Sequence, residues 1–223
     1  MCKLLALGIL IAVCASARAG EVTLSEKVSY GGWPNCLHLK NDHIELIITT
    51  DVGPRIIRFG FIGGDNLFKE FEADMGQTGG DEWRPYGGHR LWHAPEVKPR
   101  TYSPDNSPIE YEWDGTTVTI TQPTESNTGI QKVMAISLDA DANHVHVLHR
   151  LINRNLWSVR LAPWALTMMA QHGRAIFPDE PFRAHTDYLL PARPLVLWHY
   201  TDMSDARWAV SYTHLTLPTK RIV

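Results

Sequence analysis

Apolar and polar residues alternate along most of the chain with the two-residue period of half-buried strands. Residues 43–50, with Ile44, Leu46 and Ile48 among β-branched neighbours, predict one strand, and residues 54–61 predict the next after the Asp51-Val52-Gly53 turn. The cluster Gly63-Gly64-Asp65-Asn66 closes that strand. Residues 109–113 and 116–122 flank Asp114-Gly115, a dipeptide suited to tight hairpins because glycine tolerates positive φ. Residues 130–138 and 144–153 flank the longer polar loop 139–143, and residues 159–169 and 195–200 complete the predicted strands. No stretch carries the helical period, so the crossover helices of a βαβ fold are missing. Consecutive strands joined by short turns predict an all-β fold of antiparallel sheets, packed as a sandwich or closed as a barrel.

Composition narrows the function classes. The 223 residues are 44% hydrophobic and 20% charged, which suits a globular core and excludes a disordered chain. With 21 basic and 24 acidic side chains the net charge is −3, so the basic stripe of a nucleic-acid-binding protein is absent. The charge balance also argues against a polybasic membrane-surface protein. Eight Trp, seven Tyr and eleven His favour a small-molecule pocket instead.

Both ends read differently from the body. Lys3, the apolar run 4–15 and Ala17-Arg18-Ala19 have the pattern of a secretory signal peptide over residues 1–19. A periplasmic or secreted protein without a membrane span is expected, its domain covering residues 20–209. Loss of Lys3 and Arg18 with the signal would take the net charge from −3 to −5. Cys2 and Cys14 would leave as well, so Cys36 remains alone, no intrachain disulfide forms, and Cys36 is expected to be buried in its apolar-alternating stretch. Residues 210–223 lack acidic groups and look like a translated sequencing adapter; they are expected to be non-native, leaving the domain incomplete at its C-terminus.

The exception to the strand pattern is the segment 69–108. It holds two Gly-Gly pairs and five prolines, yet also Trp83, Tyr86, Trp92 and Tyr102. Its aromatic content is unlike disorder, and a loop of that length is expected to be ordered and functional. Its centre, residues 79–96, gathers Asp81, Glu82, Trp83, Tyr86, His89, Arg90, Trp92, His93 and Glu96. Arginine and carboxylate groups can fork onto hydroxyls, aromatic faces can lie against the C–H face of a sugar, and histidine exchanges protons near neutrality. The Gly-Gly pairs allow close approach of backbone to a ligand or positive φ.

Three readings of this set stay open. One is a sugar site with general acid–base capacity. A second is a metal-dependent hydrolase or lyase using His89, His93 and Glu96, because a helix would place the i, i+4 histidines on one face; against it, Gly87-Gly88 and Pro95 leave barely one helical turn. The third is structural, with Trp92 plugging the core and Arg90 bridging to Asp81 or Glu82. Elsewhere, alternation places His144, His146 and Arg150 on one face of their strand, read as solvated, and Val145, Val147, His149 and Leu151 on the other.

The stretch from Tyr86 to Glu96 resembles the Y-G-G-x-[KR]-L-W-x-A-P-[EQ] pattern of the DUF4380 family, bacterial proteins of the galactose mutarotase-like superfamily. Thr50-Asp51-Val52-Gly53-Pro54-Arg55-Ile56 is similar to that fold's early G-x-R-[IV] strand, and Asn153 with residues 161–167 resembles its later region. The resemblance implies an antiparallel supersandwich that binds a small sugar or polyol, and an activity like that of aldose 1-epimerases, in which a His acid and a Glu base exchange the anomers. On this reading His89, His93 and Glu96 are the candidate catalytic residues, and Arg55, Asp81, Glu82, Trp83, Tyr86, Arg90 and Trp92 the candidate substrate-binding ones. No cofactor or metal is implied, and a monomer is expected. A non-catalytic accessory module of polysaccharide handling is the remaining alternative.

Overall fold

The computed structural model describes residues 20–173 and, beyond them, residues 183, 184, 186, 187, 199, 202 and 204. The chain divides into two compact units at Gly173 and Arg174. In the second unit the Asp202 carboxylate accepts hydrogen bonds from the amide and hydroxyl of Ser204. The expected signal peptide, most of the predicted strand 195–200 and the tail 210–223 lie outside the described residues.

The first unit is all-β. Its strands are β1 (Thr23–Tyr30), β2 (Trp33–Lys40), β3 (Ile44–Thr49), β4 (Arg55–Phe61), β5 (His89–Ala94), β6 (Glu110–Trp113), β7 (Thr117–Thr121), β8 (Ile130–Leu138), β9 (Val145–Asn153) and β10 (Ala162–Thr167). One 3-10 turn, Arg100–Tyr102, lies between β5 and β6. Among the described residues no helix is long and apolar enough to cross a membrane. Two antiparallel sheets result, one of six strands ordered β1-β2-β3-β4-β5-β10 and one of four ordered β6-β7-β8-β9.

Strand alternation explains how the sheets meet. Leu37, Leu39, Ile44, Leu46, Ile48, Ile56 and Leu91 of the first sheet and Val118, Ile120, Met134, Ile136 and Leu138 of the second form one core. Each projects from every second position, so a one-residue slip would turn the whole set away from this core. The six-stranded sheet is also buried on its other face, where Trp33, Cys36, Ile47, Val52 and Ile57 pack with Tyr86. That second layer comes from the segment after β4: Met75 packs on the cluster, and the Trp33 indole N–H donates to the Gln77 carbonyl at 3.1 Å. Cys36 is fully buried, and burial together with Asp51 pushes its thiol up to about 12, in keeping with a packing role.

Several local features differ from the sequence expectation: β1 and β2 precede the first predicted strand. The segment 69–108 is not all loop, because residues 89–94 form β5 between β4 and β10. The hairpin at Asp114 turns one residue later than expected: the Asp114 amide donates to the Thr117 carbonyl at 3.3 Å, and the Asp114 carboxylate receives the Thr116 and Thr117 amides at 2.8 Å. The side chain of Asp114 thus satisfies the turn's donors, and those bonds hold its carboxyl below the usual range.

Candidate functional site

Pairing of β4 with β5 sets Arg55 opposite Arg90 and Ile56 opposite His89. Because successive side chains point to opposite faces, the predicted cluster is divided. Arg55, Arg90 and Trp92 stand on the outer face of the six-stranded sheet; His89, Leu91 and His93 face the other sheet.

On the outer face Arg55 is fully buried. Its Nη2 meets the Asp105 carboxylate at 2.6 Å, Nη1 donates to the Pro85 carbonyl at 3.1 Å and also to that of Gly87, and the guanidinium lies 5.1 Å from the centre of the Tyr86 ring. The group pins the 85–87 backbone to the sheet. Tyr86, Gly87 and Gly88 all have positive φ. A Cβ on Gly87 would sit 1.9 Å from the Lys69 carbonyl oxygen, and one on Gly88 2.2 Å from that of Ile56. This glycine pair therefore lets the chain pack on itself; it does not serve approach to a ligand. Around Gly79 and Gly80, also at positive φ, the space is open.

Arg90 is 3% exposed and packs on two indoles that touch each other, its guanidinium carbon 4.3 Å from the Trp92 ring centre and 4.6 Å from that of Trp83, with the ring centres 5.4 Å apart. Tyr102 packs edge-on against both, and Trp164, the register partner of Trp92, adds a fourth ring at 5.7 Å. The indole faces stabilise the cation. Burial first, and then Arg55, bring Arg90 down to about 10. The expected bridge from Arg90 to Asp81 or Glu82 is not formed: both acids are exposed, whereas Arg90 is buried against the two indoles.

On the inner face the two histidines sit at opposite ends of one strand. Four residues of strand span about 13 Å, whereas on a helix they would be neighbours. His89 and His93 are therefore not brought together, and Glu96 is exposed beyond the strand, where its carboxylate accepts the Tyr102 hydroxyl. The proposed metal set does not converge, and among the described residues no group of three His, Cys, Asp or Glu is placed to hold a metal ion.

Each histidine has a separate partner instead. The His89 Nε2 lies 2.8 Å from the Nε2 of His149 on β9, and its Nδ1 lies 2.7 Å from the Thr167 hydroxyl. One proton is shared between the two facing nitrogens, so the pair cannot be doubly protonated in this geometry. Burial, then His149 and Arg55, lower His89 to about 4, and burial lowers His149. His89 is thus a neutral imidazole at pH 7 and a poor source of the proton expected of it.

The sign of the linked pH effect follows. The unfolded chain takes up a proton near pH 6.5 while folded His89 resists until about pH 4, so its contribution to stability is complete above 6.5 and falls as the pH drops toward 4. Urea unfolding at pH 7, 5.5 and 4.5 should show this decline, and a His89→Gln/His149→Gln variant should flatten it across that window. An unchanged slope in the double variant would contradict the assignment.

His93 has no exposed side-chain surface and lies 3.7 Å from the equally buried Glu125 carboxylate. Glu125 is held by Lys132 of β8 at 2.5 Å and by the Thr128 hydroxyl at 2.5 Å. Burial alone would raise the Glu125 carboxyl, but the opposing pull of His93, Lys132 and Thr128 carries it below the usual carboxylate range.

Glu125 also lines a cleft of about 370 Å³ between residues 103–107 and 122–127. Asp81, Asp105, Gln122 and Asn127 contribute to its walls, with Gly53 and Gly80. The Asn106 amide ties one wall to the carbonyls of Gly79 and Gly80 at 2.7 and 2.8 Å, and Ser103 donates to Asn127 at 2.9 Å. Three buried acceptors of the lining, Asp105 Oδ1, Gln122 Oε1 and Glu125 Oε1, lack a hydrogen-bond partner, and Glu125 Oε1 alone of them has a direct ion pair, with Lys132.

Of the residues predicted from sequence, Asp81 alone lines the cleft. Arg55 reaches its wall through Asp105, and His93 through Glu125. Trp83, Arg90 and Trp92 form the stacked group, Tyr86 belongs to the outer layer, and Glu82 is exposed. Asp105, Gln122, Glu125, Lys132 and His149 were not anticipated. For two of them a signal exists: Lys132 falls in phase with Ile130, Met134, Ile136 and Leu138, and His149 with Val145, Val147 and Leu151, so alternation alone turns both toward the core.

No family model and no curated protein matches the chain. Among solved structures, a TPR-domain containing protein from Parabacteroides distasonis ATCC 8503 aligns over 57% of this chain at 16% identity with a TM-score of 0.35. The aligned part spans 26% of that protein's chain.

Proposed function

We propose that the chain is an exported carbohydrate-binding protein of galactose mutarotase-like architecture that takes a small sugar or polyol in the cleft between residues 103–107 and 122–127. The observation that carries this reading is the pair of acceptors there with neither a hydrogen-bond donor nor a direct ion pair, Asp105 Oδ1 and Gln122 Oε1. A buried acceptor without a donor is costly, and vicinal hydroxyls supply donors at close spacing. Tyr102 precedes the lining residue Ser103 and Trp83 follows the lining residue Asp81 by two positions, and aromatic rings can lie against a sugar's C–H surface. Any aldose-epimerase-like proton transfer would fall to Glu125, the one of the wall's three carboxylates that is backed by His93, and not to the expected trio of His89, His93 and Glu96.

Calorimetric titration with hexoses and hexitols tests the reading. Saturable binding is expected, and Gln122→Leu, which keeps the side chain's size while removing the orphaned acceptor, should weaken it about tenfold. Absence of binding across the panel, or full affinity in a normally folded Gln122→Leu protein, would sink the proposal.

A further inference from the structure

We propose that the ligand is a sugar acid whose carboxylate is received by Arg90; this rests on the carbohydrate reading above and narrows its substrate class. The register of β4 and β5 brings two guanidinium groups side by side on the outer face. They share one carboxylate, Asp105, and Arg55 holds it at 2.6 Å. Arg90 is buried and feels Asp105 only at longer range: among the described residues it makes no ion pair, and its Nε and Nη1 have no hydrogen-bond partner. The surrounding orphaned groups are donors as well: Arg55 Nε, Trp83 Nε1 and Tyr86 Oη. One orphaned acceptor, Asp105 Oδ1, accompanies them, and it belongs to the cleft wall.

This imbalance specifies the missing group. Excess buried donors and one uncompensated positive charge call for an anion rich in acceptors, and a guanidinium edge matches a carboxylate through two parallel N–H···O bonds. The neighbouring Asp105 Oδ1 calls for a hydroxyl donor. A molecule carrying both, a carboxylate with hydroxyl groups on the same ring, is a uronate. A neutral hexose would satisfy Asp105 and leave Arg90 unmatched. The two indoles packed on Arg90 leave it 3% exposed, and exclusion of water strengthens its attraction for an anion. Trp83, half-buried and following the open Gly79-Gly80 turn, is the ring that an entering acid group would displace.

Phosphorylated sugars share the anionic chemistry, so the test separates them. The full chain is titrated calorimetrically at pH 7 and low salt with glucuronate, galacturonate, glucose, galactose, glucose 6-phosphate, acetate and inorganic phosphate. Uronates are expected to bind at least tenfold more tightly than the matching neutral sugars, with Arg90→Gln bringing the uronate affinity down to that of the neutral sugar. Equal affinity for uronate and neutral sugar in the unmodified chain overturns the inference and leaves the carbohydrate reading standing. Tighter binding of glucose 6-phosphate than of either uronate overturns the carboxylate assignment. Acetate or phosphate binding as well as the uronates overturns it as a sugar site, and binding of nothing in the panel removes the carbohydrate reading itself.

Discussion

Replacing Arg55 by methionine is expected to destabilise the domain by about 3–5 kcal/mol, the range for breaking a buried ion pair by removing one partner. The guanidinium is fully buried and meets Asp105 at 2.6 Å, while Asp105 itself is 5% exposed. Its loss leaves the Asp105 carboxylate in the interior without the cation bonded to it, and it strips the Pro85 and Gly87 carbonyls of the N–H donor that they now accept from. The same bonds hold Tyr86, Gly87 and Gly88 at positive φ, so the outer layer over Ile57 and Trp33 should loosen along with them. Urea unfolding at pH 7 measures the effect, and near-ultraviolet dichroism reports the aromatic layer. An Arg55→Met/Asp105→Asn protein should recover part of the loss, because the second change removes the stranded charge. A single variant within about 1 kcal/mol of the parent would show that the clamp is not what holds this layer.

Lys132→Met should cost a similar amount at neutral pH, for a related reason with a different pH signature. Lys132 is 2% exposed in the space between the sheets, and its ammonium lies 2.5 Å from Glu125. Methionine fits the apolar surroundings, but it leaves the Glu125 carboxylate with His93 and Thr128 as its remaining partners. A penalty of about 3–5 kcal/mol follows. In the parent protein the lowered Glu125 group contributes stability that is present above the unfolded carboxyl value and is lost as the pH falls through the folded one. The variant reverses this. Burial without the ammonium favours the protonated acid, so its deficit relative to the parent should shrink as the pH is lowered from 7 to 4. Glu125→Gln/Lys132→Met, which carries no buried charge at either site, should regain much of the stability at pH 7. A deficit independent of pH would mean that packing, and not the stranded carboxylate, dominates.

Both predictions concern charges that a sequence reading would ordinarily place at the surface. Their burial follows from the register of particular strands. Lys132 and His149 occupy inward positions of otherwise apolar alternating strands, so their direction is legible in the sequence. Their partners are not: Glu125 lies in the connection before β8, His89 on a strand of the other sheet, and no local pattern links them.

The strands themselves were unevenly legible. β3, β4 and β6 to β9 follow the two-residue period closely, and β10 falls inside its predicted span. β1 escapes it because Ser25, Glu26 and Lys27 interrupt the apolar positions where bulges break the pairing with β2, and Lys27 has positive φ. β5 escapes it for the opposite reason. Residues 90–93 are buried on both faces, one under the aromatic layer and one against the second sheet, so polar and apolar residues no longer sort by side. The result was a correct impression of chemically dense sequence with the wrong local conformation.

Chain order and residue type alone determined the class of this protein, an antiparallel all-β domain with an aromatic-rich, glycine-punctuated excursion in its first half. They did so because alternation and turn chemistry are local properties that the backbone period turns directly into structure. Which polar groups meet was decided by tertiary structure alone. Threading residues 89–94 into the sheet sends Arg90 among the indoles and its neighbours His89 and His93 toward His149 and Glu125, partners 60 and 32 positions distant. A strand turns adjacent side chains to opposite faces, so residues that are contiguous in the chain were separated, and a site that seemed to lie in one segment is shared among four.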